Sequence, residues 1–197
     1  MFRVFVFGLA IVLYSFQASV SHAKGVGEDG LHKQDWFAIT FRDIAEDIES
    51  ARQQNKRLVL IFEQRGCIYC QELHEKVLSE PDVRDYLQQH FMVVQYNIYG
   101  DEEVTDLDGE LLTEKTVSRK WGLLFTPTIM FMPEKPIEGK NAKEAAIATM
   151  PGAFKKGTFL DLFTWVNEKK YENEEGFQAY HARRILERKS ANEINTD

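Results

Sequence analysis

Apolar and polar positions along the chain change rhythm several times, and each change predicts an element. Phe41, Ile44, Ala45, Ile48 and Ala51 recur at helical spacing, with Thr40 placed to cap the start. The run Arg57 to Glu63 is too continuously apolar for a sheet with one wet face, so it reads as a central parallel strand covered on both sides. Helical pattern resumes from Cys70 to Leu78, and Pro81 opens a second helical stretch through Tyr86 and Leu87. Phe91 to Ile98 reads as the next strand. After an acidic excursion from Tyr99 to Lys115, with a turn signal at Asp108-Gly109, come a short helix Glu114 to Trp121 and a strand Phe125 to Phe131 entered through Pro127. Ala146 to Met150 suits an edge strand. Phe159, Leu160, Leu162, Phe163 and Val166 mark a helix over Gly157 to Val166, and Gly176 to Lys189 forms a last, charged one. This order predicts an α/β domain: a central mixed sheet flanked by helices on both faces, with a C-terminal helical extension.

The amino end has a different character. Arg3, the apolar stretch Val4 to Phe16, and small residues Ser21 and Ala23 flanking His22 have the form of a secretory signal over residues 1–23. The apolar stretch falls short of the roughly 20 residues of a membrane span, although an uncleaved anchor is the competing reading. Both readings place the body outside the cytoplasm. Residues 24–35 are glycine-rich and polar and read as a flexible lead, 36–171 as the folded domain, and 172–197 as a helical tail.

Composition and charge narrow the partners. The chain of 197 residues carries a net charge of −7, and removing residues 1–23 takes away Arg3 alone among its charged residues. An acidic body argues against nucleic acid or an anionic membrane surface as partner. A monomer with no bound cofactor is expected. The acids between Tyr99 and Lys115 invite a calcium-loop reading. Setting Gly109 as the turn glycine, however, puts Val104 and Lys115 at the first and last ligand positions, so a solvated loop is expected instead.

The candidate chemistry lies in Cys67-Ile68-Tyr69-Cys70, which holds the chain's two cysteines. Two thiols separated by two residues, where a buried strand hands over to a helix, meet the requirements of dithiol–disulfide exchange. The unpaired N–H groups of a helix start stabilise a thiolate. A structural bridge across so short a loop constrains the unfolded chain little. A zinc site wants four ligands, and no second cysteine pair exists. On this reading Cys67 at the exposed corner is the nucleophile, Cys70 resolves the mixed disulfide, and Arg65 is either a thiolate-stabilising cation or a solvated surface charge. A rival of another class is metal delivery: His74, four residues after Cys70 on the same helix face, completes a set with Cys67 and Cys70 able to grip Cu(I), unless it is a surface residue.

Three segments together resemble the thioredoxin-fold family: the strand with Gly66-Cys67-Ile68-Tyr69-Cys70, the Phe125-Thr126-Pro127-Thr128 loop, and Pro151-Gly152-Ala153-Phe154-Lys155-Lys156-Gly157-Thr158-Phe159. The resemblance covers about Trp36 to Tyr171. It implies a cis Thr126–Pro127 bond that frees the Thr126 backbone to pair with an extended substrate, with Gly152 as the opposite wall of the groove and Ile68 and Tyr69 at its rim. The chain departs from the family where a buried acid is usual six residues before the first cysteine: Ile61 stands there, and Glu63 is the candidate substitute proton acceptor for Cys70.

A closer likeness is to SoxW-type periplasmic thioredoxins. It rests on Phe62-Glu63-Gln64, Asn97-Ile98-Tyr99-Gly100-Asp101, Glu103-Val104-Thr105-Asp106, Thr126-Pro127-Thr128 and Gly176-Phe177-Gln178-Ala179-Tyr180, and it implies a periplasmic location. This implies a reducing role toward exported thiol proteins, with electrons from a membrane donor of the CcdA/DsbD kind. Neither Ile68 nor Tyr69 adds charge, which predicts a potential nearer about −270 mV than the roughly −120 mV of a strong oxidant.

Overall fold

The computed structural model describes residues 25–173 and 175–194, the last three of these as backbone only; the expected signal segment 1–23 lies outside the described residues. Helix α1 (Ile44–Gln53) leads into β1 (Arg57–Glu63), α2 (Ile68–Lys76), α3 (Pro81–His90) and β2 (Phe91–Asn97). A hairpin of β3 (Glu103–Thr105) and β4 (Leu111–Thr113) precedes α4 (Glu114–Lys120), β5 (Thr128–Phe131), α5 (Ala142–Ala145) and β6 (Ala148–Pro151). Helices α6 (Lys156–Asn167) and α7 (Phe177–Ile194) complete the chain.

Four strands form one mixed sheet in the order β2-β1-β5-β6. Strand β1 pairs parallel with β2, from Arg57 opposite Phe91 to Glu63 opposite Asn97, and antiparallel with β5. All seven β1 residues are buried, as an unbroken apolar run demands. Alternate side chains then feed two cores. Val59 and Ile61 join Phe131, Phe159 and Phe163 on the α3/α6 side, while Leu58, Leu60 and Phe62 join Ile44, Ile48, Val117 and Trp121 on the α1/α4 side. Phe163 meets Phe91 and Phe131 edge-on, with ring centroids 4.9 and 4.7 Å away. Covered on both faces, β1 is held rigidly, and the turn at its end carries Cys67.

Several expectations need correction. The α1 cap is Asp43, whose Oδ1 accepts from Glu46 N at 3.0 Å; Thr40 instead donates to Asp47 Oδ2, and Phe41 stands almost wholly in solvent before the helix begins. The acidic excursion is a paired hairpin rather than a solvated loop. Its Asp106 is buried against Trp121 Nε1 and Lys120, and Lys120 Nζ also meets Asp108 and Glu110. A lysine therefore occupies the centre where a calcium-loop reading would place the cation. Helix α2 starts earlier than the apolar spacing suggested, because Cys67 is its cap.

The expected flexible lead is also structured. Val26 bridges His32 through a turn at Gly30, Leu31 is buried, and Gln95 of β2 accepts from Lys33 Nζ while donating to the His32 carbonyl. One buried leucine and a few polar bonds fix a segment whose composition alone reads as unstructured. Among the described residues no helix is long and apolar enough to cross a membrane.

Candidate active site

Strand β1 ends at Glu63, and Gln64-Arg65-Gly66 turns the chain outward. Gly66 adopts φ +70, a left-handed conformation that other residues rarely accept. The turn delivers Cys67 to the N-cap of α2, where its Sγ accepts from Cys70 N at 3.0 Å. Cys67 and Cys70 form a disulfide with Cα atoms 5.2 Å apart. In the reduced protein a thiolate at Cys67 would meet the same N–H and the positive end of the helix, the two terms that make such a sulfur a nucleophile. Cys67 is less open than the corner position suggested, at 7% exposed against 1% for Cys70. The ordering still separates an outer sulfur from an inner one.

Across from Cys67 runs the loop into β5. The Thr126–Pro127 bond is cis, the Thr126 carbonyl oxygen lies 3.5 Å from Cys67 Sγ, and Thr126 Oγ1 donates to that sulfur at 3.4 Å. Gly152 N donates to the Pro127 carbonyl at 2.7 Å, so Thr126, Pro127 and Gly152 form one continuous wall beside the disulfide. A Cβ on Gly152 would meet nothing within 4 Å; glycine is required by its φ of +93. Ile68 and Tyr69 between the cysteines, and Leu124 and Phe125 just ahead of Thr126, stand exposed as large apolar side chains.

A buried polar network joins the end of β1 to the inner face of α2, the helix that carries Cys70. Glu63, fully buried, accepts from His74 Nε2 at 2.9 Å through Oε1 and from Gln95 Nε2 at 2.6 Å through Oε2. His74 Nδ1 lies 3.1 Å from Gln34 Nε2, a donor only, so Nδ1 accepts and the ring proton sits on Nε2 facing Glu63. His74 is buried, not a surface helix residue, and both its ring nitrogens are engaged. Among the described residues no three His, Cys, Asp or Glu side chains converge as a metal-holding group. The Cu(I) set of Cys67, Cys70 and His74 thus lacks a free third ligand. Arg65 points away from the sulfurs, its side chain against Gly30 and its Nη2 toward the Glu28 carbonyl.

Residues 44–164 match the model of the thioredoxin-like domain family. The chain belongs to that family. No curated protein sequence matches it. Among solved structures this thioredoxin-like chain resembles a thioredoxin-fold protein from Helicobacter pylori, at 19% identity over 74% of this chain and 97% of that one, with a TM-score of 0.55. A thioredoxin from Thermus thermophilus aligns at 22% identity over 63% of this chain and 83% of that one, TM-score 0.48. The oxidised C-terminal domain of Neisseria meningitidis DsbD aligns at 18% over 65% and 96%, TM-score 0.44. The likeness to the Helicobacter pylori protein is one of fold. The thioredoxin fold expected from the three sequence segments is therefore the observed one, carrying a bridged CxxC pair.

Sequence reading selected Cys67, Cys70, Glu63, Ile68, Tyr69, Thr126, Pro127 and Gly152; the structure joins the two cysteines in a bridge that holds Ile68 and Tyr69 in its loop, sets Thr126 against Cys67 with Pro127 and Gly152 beyond it, and bonds Glu63 to His74 of the same helix. It missed Gln95, Gln34 and the burial of His74. Gln95 did leave a signal, as the polar interruption in the apolar strand run Phe91 to Tyr96.

Proposed function

We propose that the protein is an exported thiol–disulfide oxidoreductase that reduces protein disulfides, with Cys67 as nucleophile, Cys70 as resolving thiol and Glu63 as acceptor of the Cys70 proton. The observation that carries this reading is the position of Cys67 Sγ, capping α2 and facing the Thr126–Pro127 wall. A Cys67 thiolate attacks one sulfur of the substrate disulfide and expels the other as a thiolate. Cys70 then attacks Cys67, re-forms the intramolecular bridge and releases the second substrate sulfur, so two electrons pass from the dithiol to the substrate. An extended substrate strand pairs with the Thr126 backbone, between Gly152 and the Ile68–Tyr69 rim.

Export rests on the signal-like segment 1–23. The reducing direction, the SoxW-type assignment and a CcdA/DsbD-type electron donor rest on the sequence resemblance and on the uncharged Ile68-Tyr69 pair. In an oxidising compartment such a protein works only if a partner keeps re-reducing it.

The test is insulin reduction under dithiothreitol. The wild-type protein should accelerate precipitation, Cys67→Ser should abolish it, and Cys70→Ser should accumulate a mixed disulfide that captures the natural substrate from exported proteins. Equilibration with glutathione should give a potential near about −270 mV; a value above about −150 mV overturns the reductant reading. Cys67→Ser with full activity overturns the chemistry itself.

A further inference from the structure

The family's usual acid position holds Ile61, and the buried polar groups at the end of β1 and on the inner face of α2 are Glu63, His74 and Gln95 of β2. Glu63 closes β1, and His74 stands one helical turn after Cys70 on the buried face of α2, a spacing that brings side chains to within about 5–6 Å at Cβ. The chain of bonds runs Gln34 Nε2 to His74 Nδ1, then His74 Nε2 to Glu63 Oε1, with Gln95 bonded to Glu63 Oε2. Gln95 is itself oriented by the lead. Lys33 Nζ can only donate, so it takes the amide oxygen at 2.9 Å and leaves the amide N–H groups for Glu63 and the His32 carbonyl.

The orientation of Gln95 is thus fixed, and three of the contacts in the network come from residues 32–34, ahead of the family-matched region that begins at residue 44. The charged and titratable groups around this pair are Cys70, one turn before His74 on the buried face of α2, His32 with its ring 5.7 Å from that of His74, and Lys33 through Gln95. Among the described residues no arginine bonds Glu63 directly; its carboxylate is held by an imidazole and an amide.

We propose that His74 is a positioning residue of the resolving step, fixed in its Nε2–H tautomer by Gln34 of the lead so that it aims the Glu63 carboxylate at the Cys70 proton. This rests on the thiol–disulfide reading above. In the mixed disulfide the Cys70 S–H gives its proton to Glu63 and the Cys70–Cys67 S–S bond forms. The Cys67–substrate S–S bond breaks, and the departing sulfur takes the electron pair and then a proton. The lead is consequently part of the redox machinery, although it contributes nothing to the strand-to-helix corner.

Stopped-flow oxidation of the reduced protein by a peptide disulfide, followed from pH 5.5 to 9, separates the steps. Iodoacetamide labelling of Cys67 in a Cys70→Ser background reports the first sulfur alone. His74→Phe should slow resolution by about tenfold at pH 7, with the rate recovering as pH rises and Cys70 ionises without help. His74→Gln, whose amide can donate to Glu63, should restore part of the rate. Gln34→Leu, at the rim of the network, should move the pH profile in the same sense and serves where His74→Phe does not fold. Cys67 labelling should be unchanged in all three. Resolution at the wild-type rate in both His74→Phe and Gln34→Leu overturns the inference, as does equal slowing of both steps with an unshifted pH profile. Failure of the wild-type protein to reduce the peptide would instead strike the functional reading itself.

Discussion

Glu63 and Asp161 are both carboxylates sealed from water, and they keep opposite company. Asp161, on α6, receives two bonds from Arg188 at 2.7 and 2.8 Å and a third from His181 Nδ1 at 2.6 Å, all from α7. Burial pushes its carboxyl upward, but the Arg188 and His181 bonds more than offset this and hold it below the ordinary aspartate value. It is a fixed charge that fastens the C-terminal helix. Among the described residues no lysine or arginine bonds Glu63; the imidazole of His74 and the amide of Gln95 satisfy its oxygens. The difference teaches that burial alone does not make an acid chemical. An acid clamped by guanidinium is a staple, whereas one bonded by an amide and an imidazole is free of that clamp, and the role proposed for Glu63 depends on the difference.

Three substitutions test that contrast. The largest effect is expected for Glu63→Gln, which should slow insulin reduction at pH 7 by about a hundredfold while Cys67 alkylation persists. Asp161→Asn should do the reverse, leaving insulin reduction unchanged but lowering stability. Its carboxyl is depressed in the fold, so its contribution is present above the unfolded value and lost as pH falls through the folded one. Urea melts should show a loss on the order of 1–2 kcal/mol at pH 7, discounted because Arg188 is half in solvent, and convergence with wild type in acid.

Asp47 provides a third kind of buried acid. Burial raises its carboxyl from 3.8 to about 6, against the lowering influence of the Thr40 hydroxyl, with Asp43 adding to the rise. A raised acid favours the fold below its unfolded value, and that benefit is lost as pH climbs through the folded one. Asp47→Asn should therefore stabilise by on the order of 1 kcal/mol at pH 7.5 and by nothing near pH 4, read by thermal melts at both pH values.

Much of the arrangement was legible because local pattern and global fold agree. The unbroken run Leu58 to Phe62 announces a strand covered twice, and the cysteines that follow it fall where such a strand must turn. The Phe125-Thr126-Pro127-Thr128 and Pro151-Gly152 segments lie far apart in sequence, yet strand pairing brings Thr128 opposite Pro151 and so builds one wall. The lead was illegible because its order comes from Leu31 and from bonds to Gln95, a partner in a strand of the domain itself. His74 was misread for a related reason. A histidine in a polar stretch of helix looks solvated until Glu63 and Gln34 are known to lie against it. The acidic hairpin hid its pairing because Lys120, well outside it in sequence, supplies the charge that draws Asp106, Asp108 and Glu110 together. Burial pulls that ammonium's pKa down, and the three carboxylates outweigh it to raise it overall.

The most direct test is differential alkylation. The fully reduced protein, treated with iodoacetamide at pH 6 and mapped by mass spectrometry, should carry the label on Cys67 while Cys70 remains free. Equal labelling of the two sulfurs, or a Cys67 that stays unmodified under these conditions, would contradict the assignment of an ionised outer nucleophile and a shielded inner partner.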